Sequence, residues 1–279
     1  MKHQEQVKPM TSKLMVNGSI TERKVYESPN DWTLMYPIFS SHIKRIGAAR
    51  TFSGGLSMYL CIPLLVLLHV KICVAGYQWM ARPFLSLPKV RWSDYVIIDR
   101  HRINGMSWFD KFNCMFCGYA NGLTVMANVE IDNLSKSDIR NQSLLTKLYL
   151  LALIPVFLPL LIIFEAGIQI IYNILVSRPL GMHRISRSEA KKIITQQRFA
   201  EQLPLPGRLM AREAKSIVLR FSMALEQIES SWCPLKHLET REGVVYPKHH
   251  DKFFGPHELE KMREVLSTVG TVSDRKPTW

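Results

Sequence analysis

Acidic residues and cysteines are both scarce in this chain, and each shortage closes off a class of function. Asp and Glu number 23 against 36 Lys and Arg, a formal charge of +13. An excess of that size favours anionic partners, either lipid headgroups or nucleic acid. Yet no block of Lys and Arg is interleaved with aromatics, and no finger or RNP motif occurs, which argues against nucleic acid. The expected partner is an anionic lipid surface, with a protein partner left open. The five cysteines are too few and too unevenly placed for a disulfide framework. Cys61 and Cys73 fall in an apolar run and read as packing residues. Also missing are a Walker loop, a dinucleotide fingerprint and a nucleophile elbow. A cleavable leader is not expected, because the first apolar run begins near Leu56, far from Met1. That run can still act as an uncleaved anchor.

What the chain does have is two long apolar runs. Leu56 to Met80 is broken by Pro63, His69 and Lys71, and Tyr77 and Trp79 suit a membrane interface. It reads as a transmembrane helix, with Lys71 snorkelling. The second run, Leu148 to Val176, carries Pro155 and Pro159, then Glu165 and Gln169. It reads either as a spanning helix or as a re-entrant segment bent at the prolines. The chain thus divides into a basic arm (1–53), a transmembrane helix (54–81), a loop region (82–147), a second membrane segment (148–176) and a helical C-terminal region (177–279). The expected fold is mainly α, with a small cytoplasmic metal-site domain assembled from residues 82–147 and 177–270, at a bacterial inner membrane.

Within the soluble parts, residues 2–24 read as a loose arm. Trp32 to Phe39, followed by His42, Lys44 and Arg45, suits either a membrane interface or a short packed helix. Val90 to Ile98 is β-prone, and Asn104-Gly105 signals a turn. Ser186 to Glu189 is a capping box that opens a helix. Met210, Ala214, Ile217, Val218, Phe221, Leu225 and Ile228 then recur at helical spacing in a helix that ends near Trp232. Gly255-Pro256-His257-Glu258 opens a last helix.

The chemistry sits in two stretches. Asn113-Cys114-Met115-Phe116-Cys117-Gly118-Tyr119-Ala120-Asn121-Gly122 has C-x-x-C spacing followed by glycines, as in a tight ligand loop. Trp232-Cys233-Pro234-Leu235-Lys236-His237 adds a third thiol and an imidazole. Cys114, Cys117, Cys233 and His237 make a Cys3His set, which suits zinc or, alternatively, an iron–sulfur cluster. The C-x-x-C pair read by itself is also compatible with thiol–disulfide exchange or with two inert buried thiols. Asp99-Arg100-His101 offers Asp99 and His101 as partners of a metal ligand or as an acid/base pair, or simply as an exposed charged turn. His249, His250 and His257 are further possible ligands, although a surface position is the favoured reading. A closed four-ligand shell favours a structural or accessory role, with a membrane redox enzyme or electron carrier, and then a metal-free thiol protein, as alternatives.

The topology is constrained by this grouping. If both apolar runs cross once, the two cysteine stretches fall on opposite faces and share no ion. The cations Arg82, Lys89 and Arg91 after the first run, and Arg178, Arg184 and Arg187 after the second, place both soluble parts on one side. This favours a second run that returns to its own side.

The Asp99-Arg100-His101 triplet and the two cysteine stretches resemble a family of uncharacterised bacterial proteins with the patterns D-R-H, N-C-x-Y-C-x-Y-A-N-G and Y-W-C-P-I-K-H. Phe116 stands where the pattern has Tyr, and Leu235 where it has Ile. The resemblance covers about a fifth of the chain. In that pattern the two cysteine motifs lie closer together, whereas here the second apolar run intervenes. The resemblance implies that the four ligands belong to one site, and it implies no activity.

Overall fold

The computed structural model describes residues 10–16, 19–25, 34, 37–171, 185–239 and 241–268. Strands β1 (Met10–Val16) and β2 (Ser19–Val25) pair antiparallel, so residues 10–16 and 19–25 are not the loose arm that their composition suggests. Trp32 lies outside the described residues. The helices are α1 (Ile38–Ile46), α2 (Ala48–Leu85), α3 (Trp108–Ser135), α4 (Leu144–Ile170), α5 (Arg187–Gln196), α6 (Leu205–Trp232) and α7 (Leu259–Thr268).

Helices α2 and α4 are long and apolar enough to cross a membrane. The 27 residues of α4 rise ~40 Å, against ~30 Å for a bilayer's hydrocarbon core. In α2 the regular helix pauses at Cys61, ahead of Pro63, and widens to π-helical geometry over Leu68–Ala81. It stops at Ser86, whose φ of 51° is left-handed, and Leu87 N–H closes back on the Arg82 carbonyl at 3.1 Å. Helix α4 continues through Pro155 and Pro159, so the expected bend into a hairpin does not form. Their missing N–H groups free carbonyls that a packed apolar helix tolerates.

The two helices lie antiparallel. Phe84 packs on Tyr149 with ring centroids 4.2 Å apart. Further along, a Cβ on Gly76 would reach the Phe157 ring at 2.9 Å, and one on Gly167 would reach Leu64 at 2.8 Å. Small residues at these crossings let the backbones approach. Away from the contacts both helices expose apolar side chains, among them Leu56, Val66 and Val70 on α2 and Leu151, Leu158 and Ile162 on α4. Lys71 is exposed too.

Helices α3 and α6 pack alongside this pair. Tyr59 Oη donates to Asn113 Oδ1 at 2.7 Å, and Asn133 Nδ2 donates to Tyr77 Oη at 2.9 Å, so α3 runs parallel to α2. Lys215 pairs with Asp132 at 2.6 Å, while Cys233 lies beside Cys114, so α6 runs antiparallel to α3. Arg220 of α6 pairs with Glu165 of α4. One buried cluster takes Leu64 and Leu68 from α2, Leu123 from α3, Phe164 from α4 and Phe221 from α6. A small domain separate from the two long apolar helices is therefore not what forms, because its residues share the core of those helices.

The path of the chain between α2 and α3 decides where the two cysteine stretches meet. After Leu85 the chain turns back along α2, with Tyr77 Oη donating to the Pro88 carbonyl (2.8 Å) and Gln78 Nε2 to that of Val90 (2.9 Å). Helix α3 therefore starts at the end of the bundle where α2 began, and α6 finishes there. Both cysteine stretches meet at one end without a re-entrant segment.

Candidate metal and thiol centre

The C-x-x-C pair lies on a helix and not in the expected loop. Ser107 caps α3, its Oγ accepting from Asp110 N–H at 3.1 Å, and the helix runs unbroken through Gly118 and Gly122. The glycines serve a close approach. A Cβ at Gly118 would collide with the Ile97 carbonyl oxygen, and one at Gly122 with that of Tyr95. The 95–98 backbone thus lies directly on α3. The β-prone run ahead of it forms one helical turn, Trp92–Tyr95, where a strand was expected. A 3-10 turn, Arg100–Arg102, follows, and Gly105 takes a left-handed φ of 80° at the Asn104-Gly105 turn. Pressing this segment onto α3 brings Asp99 and Arg100 to the face carrying Cys114 and Cys117, which are neighbours at i,i+3.

Cys233 enters from the end of α6, its N–H bonded to the Glu229 carbonyl at 2.8 Å. Its Sγ lies 3.5 Å from Cys114 Sγ. All three thiols are buried. Burial pushes the Cys117 thiol up, and contact with Cys114 together with burial pushes Cys233 well up, so both are protonated at neutral pH in the absence of a metal. The buried Arg100 guanidinium faces all three sulfurs. It donates to the Leu235 carbonyl at 3.1 Å and pairs with Glu229.

His237 turns its Nδ1 to Asp99 Oδ1 at 2.5 Å, and Asp99 Oδ2 accepts the N–H groups of Leu238 (2.6 Å) and Glu239 (2.7 Å). Burial works against the Asp99 charge. The hydrogen bond from His237, the Glu239 N–H and the Arg100 charge outweigh it and hold the carboxyl at about 2. Burial, helped by Arg100, pushes the His237 imidazole down and keeps it neutral. With Nδ1 tied to a carboxylate, Nε2 is left as the ligating nitrogen, the arrangement common among metal-bound histidines. Asp99 is thus a partner of His237 and not an exposed charge. His101 is half-buried, its Nδ1 without a hydrogen-bond partner.

The structure also assembles a group that the sequence reading left at the surface. Glu229, His249 and His250 are all buried, and their ligand atoms lie within 4.8 Å of one another. Both imidazoles bring Nε2 to Glu229 Oε2, His249 at 2.9 Å and His250 at 2.8 Å. Burial disfavours the Glu229 charge, but Arg100 and the two histidines hold the carboxyl well below its usual range. Burial keeps His250 neutral. Among the described residues this is the group that meets the 4.8 Å spacing, and Cys114, Cys117, Cys233 and His237 do not close to it. Part of this was legible. Glu229 stands four residues before Cys233, on the inward face of α6, where an isolated carboxylate demands partners. His249 and His250 were open as ligands, but nothing in the sequence paired them with Glu229. The two groups are neighbours, with the His237 and His250 rings 5.0 Å apart.

No protein-family model, curated protein or solved structure matches this chain.

Proposed function

We propose that this is a membrane-anchored metal-binding protein in which Cys114, Cys117, Cys233 and His237 take one zinc ion. The observation that carries the reading is the 3.5 Å approach of Cys114 and Cys233 across 119 positions of sequence. Asp99 supports it by presenting His237 through Nε2. Binding draws the four groups together and releases the thiol protons. The site lies where residues 233–268 dock on the bundle, so the ion secures that segment, and a closed shell suits this role better than hydrolysis. Helices α2 and α4 anchor the chain in a bacterial inner membrane, with the centre on the cytoplasmic side and the basic surface toward anionic headgroups. Membership of the uncharacterised bacterial family is part of the same proposal.

The Cys114–Cys233 contact favours one further reading, a metal-free dithiol. There the two thiols would pass two electrons and two protons to a disulfide oxidant and become linked. The test is metal content with a visible spectrum, on protein purified anaerobically in detergent beside Cys233→Ser. Colourless protein holding zinc that the variant loses supports the proposal. A brown, iron-containing sample moves the site to an iron–sulfur cluster. Metal-free protein that forms a Cys114–Cys233 disulfide under mild oxidation establishes the dithiol instead.

A further inference from the structure

We infer that Glu229, His249 and His250 form a second metal site, separate from the thiols, for a divalent ion of the zinc or iron(II) class. The three ligand atoms are Glu229 Oε2 and the two Nε2 nitrogens, and they converge on one buried point. Two imidazoles and a carboxylate form a borderline donor set, suited to first-row transition ions and poor for calcium or magnesium.

The surroundings are built as an outer shell should be. Arg100 engages Glu229 through Oε1, which fixes the carboxylate and leaves Oε2 directed at the imidazoles. The other nitrogen of His249, Nδ1, lies 3.9 Å from Glu226 Oε2, a second carboxylate placed to receive its proton. Pro247 precedes the short 3-10 turn Lys248–Lys252 that delivers both histidines, and the His250 ring stacks on Phe253 with centroids 4.6 Å apart. A hydrogen-bonded cluster with no ligand explains less of this. One carboxylate oxygen receives two N–H groups where a single ion would bond both nitrogens.

The test uses full-length protein in detergent, loaded with zinc, dialysed and analysed for metal per chain. Two variants are compared with the wild type: Cys114→Ser/Cys117→Ser/Cys233→Ser, and His249→Gln/His250→Gln. Glutamine keeps an N–H for Glu229 and removes the imidazole. The expected result is that the cysteine variant keeps one ion and the histidine variant loses one. X-ray absorption of the zinc-loaded cysteine variant should then show only nitrogen and oxygen neighbours at about 2.0–2.1 Å, with imidazole scattering. A cysteine variant that holds no zinc overturns the inference, as does a histidine variant with unchanged stoichiometry. Failure of the thiol proposal looks different: the wild type then holds a single ion, indifferent to Cys→Ser and lost on His→Gln.

Discussion

Glu229 and Glu130 are the two most deeply buried glutamates among the described residues, and they are treated in opposite ways. Glu229 lies at the polar end, 0% exposed, and Glu130 lies in the last two turns of α3, 2% exposed. Both lose their hydration. Glu229 is met by Arg100 and two imidazoles, and stays ionised. Glu130 receives a hydrogen bond from Gln78 Nε2 at 3.0 Å, while its Oε2 has no partner, and burial pushes its carboxyl up to about 8. The difference lies in compensation and not in depth. A charge survives where a cation and donors converge on it, and elsewhere the group keeps its proton.

Removing the compensation at the polar end should give the largest effect. Arg100→Met leaves the Glu229 carboxylate buried beside apolar carbon, and breaking such a pair from one side costs about 3–5 kcal/mol. The midpoint of thermal unfolding should fall steeply, and Arg100→Met/Glu229→Leu should recover part of the loss. A single variant as stable as the wild type would mean that the two ends of the bundle do not differ in this way.

The same contrast separates what was legible in the sequence from what was not. The apolar runs holding Leu64 and Phe164 were readable from their length, and the inward face of α6 because Ile217 and Phe221 recur at helical spacing. So was the Ser186 capping box, whose two reciprocal bonds both form. The loop around Cys114 was misread for a physical reason. Gly118 and Gly122 suggest a turn, but here they clear space for the Tyr95 and Ile97 carbonyls, a contact made across the fold. Propensity carries no information about what lies opposite a helix. His249 and His250 were misplaced on the same ground, since charged neighbours in sequence imply a surface that tertiary packing overrides. The grouping of Cys114 with Cys233 was legible as chemistry, yet its single-sided geometry depended on the chain retracing α2 after Leu85.

A smaller effect, with a sign set by linkage, should come from Glu130. Its carboxyl titrates at about 8 in the folded protein and at 4.5 in the unfolded chain. The folded state therefore holds the proton more tightly. The stability this gives is fully present below pH 4.5 and is lost as pH rises to about 8, by up to ~1.4 kcal/mol per pH unit. Glu130→Gln cannot ionise, and its unfolding midpoint should lack this decline. Equal slopes in the two proteins between pH 5 and 8 would show that Glu130 is solvated like a surface carboxylate.

The smallest effect compares how the two kinds of helix begin. Helix α3, which carries Cys114 and Cys117, and the apolar α4 both start on a serine. Ser107 Oγ accepts from Asp110 N–H at 3.1 Å, and Ser143 Oγ from Thr146 N–H at 3.2 Å. Each satisfies one donor that a helix start otherwise leaves to water, and loss of such a cap costs about 1 kcal/mol. Ser107 also donates to the Asp110 carboxylate at 2.8 Å, and Asp110 is buried. Ser107→Ala therefore removes two bonds and exposes a buried acid to an empty position, whereas Ser143→Ala removes its bonds at an exposed site. Ser107→Ala should lower the unfolding midpoint more than Ser143→Ala. It should also loosen the first turn of α3 and speed alkylation of Cys114 relative to the wild type. If the two serines prove equivalent in both measurements, the thiol end of α3 owes its order to the docked 95–107 segment and the tail, and not to its cap.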